Sequence, residues 1–396
     1  MAYASGAMER AMKVQEVIVR ALAGTLTWIQ AAEILGLSPR SVRRWRRRLE
    51  HDGYDGLFDR RRRVPSPKRA PVAQVQRLLA LYRDRYQGFN VRHFHQLARR
   101  DHGVSFCYAF VKKALQTAGL VPKARPRGRH RRRREPRPCF GELLHLDGSR
   151  HRWLPARPDQ WVTLIAVVDD ATKQLLYAHL EEGGERVPAI MAALRHVLET
   201  YGLPQALYTD RASWACHTPT SGTGPDRRRL TQVGRALARL GIDHILGFSP
   251  QARGRSERVN RTLQDRLVNE YRLAGITTLA AANRYLRERF LPAFNAEFGR
   301  PPAEPTSAFV PLGAIDLDQI LCIEEERVVG RDNVVLADSL PLQLAKQPGR
   351  RSCAGLRVLV RRHLNGHHSV WYGSRCFGRY DAHGRPSARP ATRVMS

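Results

Sequence analysis

The chain of 396 residues carries 67 Lys and Arg against 36 Asp and Glu, a formal net charge of +31. This length accommodates two to four domains at roughly 150 residues each, every one large enough to bury a core. Residues 1–140 hold 32 of the basic and 10 of the acidic side chains. A genome rich in arginine codons would explain why only 7 basic residues are Lys, but not why the excess is concentrated in one region. The distribution predicts a nucleic-acid partner that binds mainly to the first third.

The spacing of the cysteines and the length of the apolar runs indicate the cellular compartment of the protein. The six cysteines are widely spaced and include no Cys-x-x-Cys pair, a pattern typical of reduced thiols in a cytosolic protein. The longest apolar run, residues 161–168, is too short to span a bilayer. The N-terminus has no apolar segment of a signal peptide. We expect a soluble, cytoplasmic, nucleoid-associated protein with no membrane partner.

The domain at residues 1–60 has the pattern of a helix-turn-helix. Thr27 can cap a helix through Leu35, Gly36 ends that helix, and Ser38-Pro39 begins a second one that runs to about residue 50. Arginines of the second helix lie outside its apolar stripe, as a DNA-reading helix requires. The alternative is an ordinary helical hairpin with a solvated basic face. We predict DNA contacts for Arg40, Arg43, Arg44 and Arg47.

A second helical domain is expected at residues 61–121, as another helix-turn-helix or as a helical spacer. Ser105 is the expected cap of its last helix. Its histidines, His93, His95 and His102, have no fourth ligand or Cys pair nearby and are expected to be core or surface side chains.

A basic linker follows at residues 122–138, where nine Lys and Arg alternate with four prolines. Such a segment cannot bury a core and suits phosphate or minor-groove contacts. A solvated linker is the alternative, although a linker beside DNA would bind it anyway. The contacts predicted here are made by Arg131, Arg132, Arg133 and Arg134.

From residue 139 to 298 the pattern is that of an α/β domain. Three strand-like runs precede alternating helices and strands, which indicates a mixed sheet. The expected elements are strands at 142–147, 161–168 and 174–180, a helix at 186–201, a strand at 206–210, an irregular insert at 211–229, a helix at 231–240, a strand at 242–248 and a helix from 257 to about 272. A linker at 299–319 leads to short β-like runs at 320–385, which predict a small β-barrel.

Three carboxylates occupy the ends or starts of these core elements. Asp147 follows one apolar strand-like run, Asp210 ends another, and Glu257 opens the long helix. Helical phase places Glu257 at the edge of that helix's apolar stripe, where it can face a cleft. Two divalent ions about 3.5–4 Å apart can catalyse phosphodiester chemistry, and Mg²⁺ prefers carboxylate oxygens. If the fold brings the acids together, they suit a site for two Mg²⁺ or Mn²⁺ ions.

Another acidic pair, Asp169 and Asp170, ends the central strand. Because Ala171-Thr172 follow at once, a turn-capping role is expected in preference to metal binding.

The residues around the three acids carry a family resemblance. His145-Leu146-Asp147-Gly148-Ser149, Tyr208-Thr209-Asp210-Arg211 and the frame SPQARGRSERVNRTL at 249–263 resemble the core of bacterial insertion-sequence transposases of the DDE, retroviral-integrase-like superfamily. The closest likeness is to the ISNCY type and extends across nearly the whole chain. The third motif is highly specific, whereas the first two are weak alone.

The resemblance implies a ribonuclease H-like core in which Asp147, Asp210 and Glu257 are catalytic and bind metal. It implies cleavage at the inverted repeats of the element and transfer of the 3′-hydroxyl into target DNA. The enzyme is expected to act on double-stranded DNA as a homo-oligomer. Basic residues in or beside the third motif are then expected to contact DNA: Arg253, Arg255 and Arg261.

Two departures distinguish the chain from retroviral integrases. The spacing of 47 residues between the second and third acids is longer than in those enzymes, because of the insert at 212–229. Helix-turn-helix patterns stand where those proteins have a His/Cys zinc domain. Both differences favour a prokaryotic transposase.

Two other functions remain open at this stage. A DNA-binding regulator or domesticated relative could keep the three acids in an inactive core. A structure-selective nuclease on the same fold would explain the acids but not two recognition modules and a basic linker. Terminal inverted repeats flanking the gene would separate a transposase from both.

Overall fold

The chain divides into two units, Met1–Ala80 and Leu81–Ser396. The computed structural model describes residues 5–58, 69–123, 135–218, 226, 228–247 and 256–387. Six of the predicted DNA-contact residues lie outside these ranges: Arg131, Arg132, Arg133, Arg134, Arg253 and Arg255. No helix within the described ranges is both long and apolar enough to cross a membrane.

The first unit contains the predicted helix-turn-helix. Its helices are α1 (Ser5–Leu22), α2 (Trp28–Leu35) and α3 (Pro39–Asp52), followed by a 3-10 turn (Gly53–Leu57). Thr27 and Gln30 form a reciprocal capping box at the start of α2. Gly36 ends α2 in the left-handed conformation at φ 62°, which a residue without a Cβ adopts at little cost. Ser38 caps α3, with Pro39 in its first turn, so the predicted helix boundaries are confirmed.

Three further helices follow: α4 (Val72–Arg85), which crosses the boundary between the units, α5 (Val91–His102) and α6 (Tyr108–Thr117). The prediction that Ser105 caps α6 is wrong. The chain is still extended at Cys107, which occupies the cap position without a side-chain hydrogen bond. The prediction gave too much weight to the Ser105 hydroxyl as a cap. The helix begins later in the sequence, where its buried residues are Val111 and Leu115.

The three histidines of this region are hydrogen-bonded within the protein. His93 Nε2 is 3.0 Å from Glu270 Oε1, and His95 Nε2 is 2.9 Å from the Phe106 carbonyl oxygen. His102 Nε2 is 2.9 Å from the Tyr86 hydroxyl. His93 and His95 are buried, so these side chains belong to the packing of the helices.

The second unit is built on a five-stranded mixed sheet in the order β3-β2-β1-β4-β5. The strands are β1 (Leu143–His151), β2 (Val162–Asp169), β3 (Leu175–Glu181), β4 (Ala206–Thr209) and β5 (Asp243–Leu246). β1 pairs antiparallel with β2 and parallel with β4. Every residue of β2 is buried, as predicted for an interior strand with both faces covered.

Helices cover both faces of this sheet. Leu144 and Leu146 of β1 pack with α7 (Val187–Tyr201) and α8 (Gln232–Arg239). Side chains of β2 on the other face, including Leu164 and Ala166, pack with α9 (Ser256–Leu273), α10 (Leu279–Tyr285) and α11 (Leu291–Phe298). A π-helical segment (Leu286–Phe290) joins α10 to α11. The alternation of β1 therefore directs Asp147 to the α9 face.

The C-terminal strands form an open sheet rather than the expected closed barrel. β6 (Cys322–Val328), β9 (Arg357–His363), β10 (His368–Tyr372) and β11 (Arg375–Tyr380) lie in the order β11-β10-β9-β6. β7 (Val334–Ala337) and β8 (Leu340–Gln343) make a separate hairpin. The hairpin shares one apolar core with the sheet, so this core is covered without pairing between β6 and β11.

A carboxylate with three arginines joins the C-terminal sheet to the core. Glu324 on β6 is only 6% exposed at its side chain. Arg239 donates two hydrogen bonds to it at 2.6 and 2.9 Å, and Arg361 donates one at 2.8 Å. Arg235 lies 3.4 Å away. Burial alone would raise the pKa of Glu324, but Arg239, Arg235 and Arg361 outweigh it and hold the pKa below its ordinary value.

We expect Glu324→Gln to lower the free energy of unfolding by about 3 kcal/mol, because three guanidinium groups are left around an uncharged partner. Since the folded-state pKa is depressed, this contribution is present above the unfolded-state pKa and is lost as the pH falls through the folded-state value. The wild type should therefore lose its advantage over the variant in acid. Denaturant unfolding at neutral and acid pH measures both effects.

The matched control is Glu326→Gln, which removes an exposed carboxylate from the same strand. It should change stability by less than about 0.5 kcal/mol. Equal losses in the two variants would contradict a special role for Glu324.

Candidate active site and DNA-binding surfaces

The parallel pairing of β1 with β4 sets two of the three predicted acids side by side. The register pairs Leu143 with Ala206 and His145 with Tyr208, and the same offset places Asp147 level with Asp210. On its other side β4 stays paired as far as Thr209, because Gly247, just after β5, donates its N–H to Thr209 O at 2.9 Å. Level residues on neighbouring strands project to one face about 5 Å apart. Both side chains are half-buried.

Helix α9 crosses the same face of β1. Asn260 Nδ2 donates to Asp147 Oδ2 at 3.0 Å, and Gln264 Nε2 donates to Ser149 Oγ at 2.9 Å. Asn260 and Gln264 are four residues apart on the helix, a rise of about 6 Å, which matches the two-residue separation of Asp147 and Ser149 on the strand. The two contacts therefore fix both the position and the direction of α9 along β1.

Glu257 lies in the first turn of α9, three residues before Asn260. Residues three apart share a helix face, so its carboxylate lies about one turn from the contact with Asp147. Leu263 and Leu267 on the inward stripe are fully buried, whereas Glu257 is exposed. This confirms the helical phase predicted from the sequence. The described residues contain no set of three His, Cys, Asp or Glu side chains already gathered as a metal cluster.

A second carboxylate supports the loop after β4 and was not expected from the sequence. Asp210 Oδ1 accepts a hydrogen bond from the Ala212 N–H at 2.9 Å. Two residues later, Trp214 Nε1 donates to Glu185 Oε2 at 2.6 Å. The Glu185 side chain fills the space where a Cβ at position 148 would project. A side chain at position 148 would collide with Glu185, so a glycine is needed there. Gly148, next to Asp147, was the only sign in the sequence that Glu185 approaches this strand so closely.

The other acidic pair is used by the fold. Asp169 accepts hydrogen bonds from the Thr172 N–H and hydroxyl at 2.7 and 2.8 Å, and burial raises its pKa. Asp170 accepts from the Arg137 N–H at 2.7 Å and lies 2.8 Å from His145 Nε2. These contacts confirm the expected turn role of Asp169, and they give Asp170 a structural role as well.

The outward face of α3 carries all four arginines predicted there, and each is exposed: Arg40, Arg43, Arg44 and Arg47. Two other arginines of α3 are used differently. Arg46 donates to Glu50 at 2.6 Å and lies over the Trp28 ring, while Arg48 lies over Trp45. Arg261, predicted to contact DNA from α9, is exposed. The DNA contacts themselves stay predictions.

Two family models match the N-terminal part of the chain. A helix-turn-helix domain matches residues 15–63, which include α2 and α3. A homeodomain-like domain matches residues 41–115, from α3 to α6. The predicted helix-turn-helix in the first domain is thereby confirmed, and the second helical region matches a homeodomain-like model.

Relatives are found over most of the chain. A protein named "Putative transposase y4bF" from Sinorhizobium fredii is 31% identical over 369 residues, which cover 92% of this chain and 79% of that protein. The chain belongs to the insertion-sequence transposase family. The transposase for insertion sequence IS1202 of Streptococcus pneumoniae is 28% identical over 319 residues, 71% of this chain and 67% of that protein.

A solved structure is also similar to this transposase, at a low level. It is a simian T-cell lymphotropic virus intasome in complex with PP2A regulatory subunit B56 gamma. The match has 13% identity and a TM-score of 0.32, and it covers 79% of this chain and 99% of that chain. A TM-score this low does not establish a shared fold.

The hydrogen bond from Asn260 to Asp147 predicts a positioning role for Asn260. If Asp147 binds metal, as the resemblance implies, Asn260→Ala should lower strand joining by about 10- to 100-fold, the usual cost of removing a group that orients a ligating carboxylate. Asn260→Asp should lose more, because it places a second negative charge against Asp147. Joining of labelled element-end DNA measures the loss.

Asn269→Ala is the matched control on the same helix, since the Asn269 side chain donates to the backbone oxygen of Asp265 at 2.8 Å, away from the acids. It should join DNA at nearly the wild-type rate. If both alanine variants lose the same activity, Asn260 acts only through the stability of α9.

Proposed function

We propose that this transposase is a DDE-type polynucleotidyl transferase with a ribonuclease H-like core, related to the ISNCY type. It binds the inverted repeats of its element, cleaves the DNA ends and transfers the 3′-hydroxyl into target DNA as a homo-oligomer. Asp147, Asp210 and Glu257 are its catalytic carboxylates. The observation that carries the proposal is the crossing of α9 over β1, which puts Asn260 in contact with Asp147 and leaves Glu257 one helical turn before that contact.

The donor set fits two Mg²⁺ or Mn²⁺ ions. Carboxylate oxygens are the ligands these hard cations prefer, and a few of them suffice because waters and substrate oxygens complete the coordination. An amide N–H from Asn260 and a backbone N–H from Ala212 orient the two aspartates, as donors usually orient ligating carboxylates. When bound, the ions supply activation of the attacking oxygen and stabilisation of the leaving oxygen.

Glu257 supplies the third carboxylate in this proposal. Its turn begins directly after residues 249–255, which belong to the most specific motif of the sequence. An approach of this first turn toward β1 would complete the set, since Asn260 already reaches Asp147 from the same helix face. The remaining helix need not move, because Leu263 and Leu267 hold it in the core.

DNA recognition is assigned to the N-terminal helices. The exposed arginines of α3 present guanidinium groups that bind phosphates and guanine edges. The family match over residues 15–63 supports this assignment. The concentration of positive charge in residues 1–140 favours DNA binding by the same region.

Loss of any one catalytic carboxylate should abolish joining. We expect Asp147→Asn, Asp210→Asn and Glu257→Gln to reduce Mg²⁺-dependent cleavage and joining of element ends below detection, while binding of the ends persists. The reason is that each change removes a ligand charge without altering side-chain size. Gel assays of cleavage and of binding on the same DNA separate chemistry from recognition.

Asp243→Asn is the matched control, because Asp243 is an exposed aspartate of the same sheet that lies level with Ala206 and not with Asp210. It should keep wild-type activity. Full joining by any of the three carboxylate variants would remove that residue from the proposed site. A wild-type protein that binds ends and never cleaves them would favour the DNA-binding regulator.

The α3 arginines should affect binding without affecting the catalytic acids. Arg43→Ala and Arg47→Ala should each weaken binding of the element end by roughly tenfold, the cost of about one good base or phosphate contact. Their residual joining should still require the metal. Arg20→Ala on α1, which removes an exposed arginine near Glu16, is the control. Unchanged affinity in both α3 variants would contradict recognition by this helix.

A further inference from the structure

The hairpin between β1 and β2 ends in an exposed group of basic and aromatic side chains. Arg150 and Arg152 each place the guanidinium carbon 5.3 Å from the ring centre of Trp161. Trp161 is 48% exposed, and both arginines are exposed. We name residues 150–161 the hairpin tip. In sequence it is distinct from α3 and from the basic linker predicted at residues 122–138.

Within the described ranges of the chain, neither Arg150 nor Arg152 forms an ion pair. This distinguishes them from Arg235, Arg239 and Arg361, which share Glu324. The carboxylates at the end of neighbouring β3 have other partners: Glu181 pairs with Arg186, and Glu182, the residue after β3, accepts from Gln160 at 2.9 Å.

The hairpin tip is built on a fixed base. Trp153 is fully buried, and its Nε1 donates to the Ser149 carbonyl oxygen at 3.0 Å. Leu154 is buried beside it in the core under α9. Gln160 ties the returning strand to Glu182. The indole and the two guanidinium groups are thus presented to solvent by a scaffold that is already ordered, which reduces the entropy cost of binding.

The position of the hairpin tip relates it to the three acids. Arg150 follows Asp147 by three residues on the same strand, a separation of about 10 Å. Phosphates along one strand of duplex DNA rise by roughly 3.4 Å each, so this distance corresponds to about three nucleotides. Alternation along β1 directs Arg150 to the face opposite Asp147. Arg150 therefore lies near the end of β1, beyond Asp147 along the strand.

We propose that the hairpin tip is a phosphate clamp for DNA next to the reacting bond. Arg150 and Arg152 bind the phosphodiester backbone, and Trp161 holds their planar groups in orientation by cation–π contact. The ligand chemistry is a DNA backbone, from the flank of the element end or from the target duplex. The proposal deepens the proposed function, because it names a DNA contact of the same active site.

Binding of DNA by the full chain tests the clamp. Affinity is measured against salt concentration in the Asp147→Asn background, so that no chemistry intervenes. Arg150→Ala/Arg152→Ala should weaken binding about tenfold and reduce the slope of log K against log salt by about 2, one for each phosphate that the variant no longer neutralises. Trp161→Ala should weaken binding by several-fold, and Trp161→Phe should restore most of the affinity because it keeps an aromatic face.

Arg284→Ala/Arg287→Ala is the charge-matched control, because it removes two exposed arginines from the helical segment around α10. If Arg150→Ala/Arg152→Ala weakens DNA binding no more than this control does, the clamp proposal is overturned. Normal binding by Trp161→Ala would overturn the role given to the indole.

Two DNA molecules identify the source of the bound backbone. A loss of affinity for a duplex that carries the element end and its flank, but not for an unrelated duplex, assigns the clamp to the flank. An equal loss of affinity for both assigns it to target DNA. Hydroxyl-radical footprinting should show protection about three nucleotides from the cleavage site in the wild type only. Absence of end cleavage by the wild type would contradict the proposed function, whereas the binding results judge the clamp.

Discussion

The packing of α9 against the sheet is the constraint on which the rest of the second unit depends. Leu263, Leu267 and Tyr271 are fully buried under β2 and β3, and each such side chain stabilises the fold by about 1.5–3 kcal/mol through burial. The polar contacts of Asn260 and Gln264 with β1 then select one register among those that apolar packing would tolerate. Apolar burial supplies stability here, and hydrogen bonds supply position.

The C-terminal half of the same helix is fixed by α5 and α11. Arg266 donates to Glu297 at 2.5 and 2.8 Å and to Gln96 at 3.1 Å. Glu270 accepts from the Tyr285 hydroxyl at 2.6 Å and lies 3.0 Å from His93 Nε2. Burial alone would raise the pKa of Glu270, but the hydrogen bonds from His93 and Tyr285 keep it low. The helix that carries Glu257 is thereby joined directly to a helix of the homeodomain-like region.

Local rules were sufficient for much of the fold. Thr27, Gly36 and Ser38 act through their own backbone, so the ends of α2 and α3 could be predicted from the sequence. The phase of α9 was equally accessible, because a helix with one buried stripe leaves a fixed position for Glu257. The level placement of Asp147 and Asp210 required the parallel pairing of β1 with β4, which no local pattern specifies.

The missed features involve partners that are distant in the sequence. Trp214 and Glu185 are 29 residues apart, and their hydrogen bond exists only because α7 and the loop after β4 meet above Gly148. The open C-terminal sheet was missed for a related reason. Six short strands suit either a barrel or a sheet covered by a hairpin, and the choice depends on which edges pair. β6 and β11 lie at opposite edges of the sheet and do not pair with each other, so the sheet stays open.

Arginine shows most clearly why composition alone cannot locate a DNA-binding surface. Arg235, Arg239 and Arg361 are taken by one buried carboxylate, Arg266 by Glu297, and Arg46 by Glu50. Such residues are counted among the 67 Lys and Arg and hold the fold together, but they have little left to offer a phosphate. An arginine that is exposed, ordered by an aromatic ring and in no ion pair with a described residue, as in the hairpin tip, keeps its charge for a polyanion. The number of basic side chains available to DNA is therefore smaller than the composition suggests, and their location is decided by the partners of each side chain.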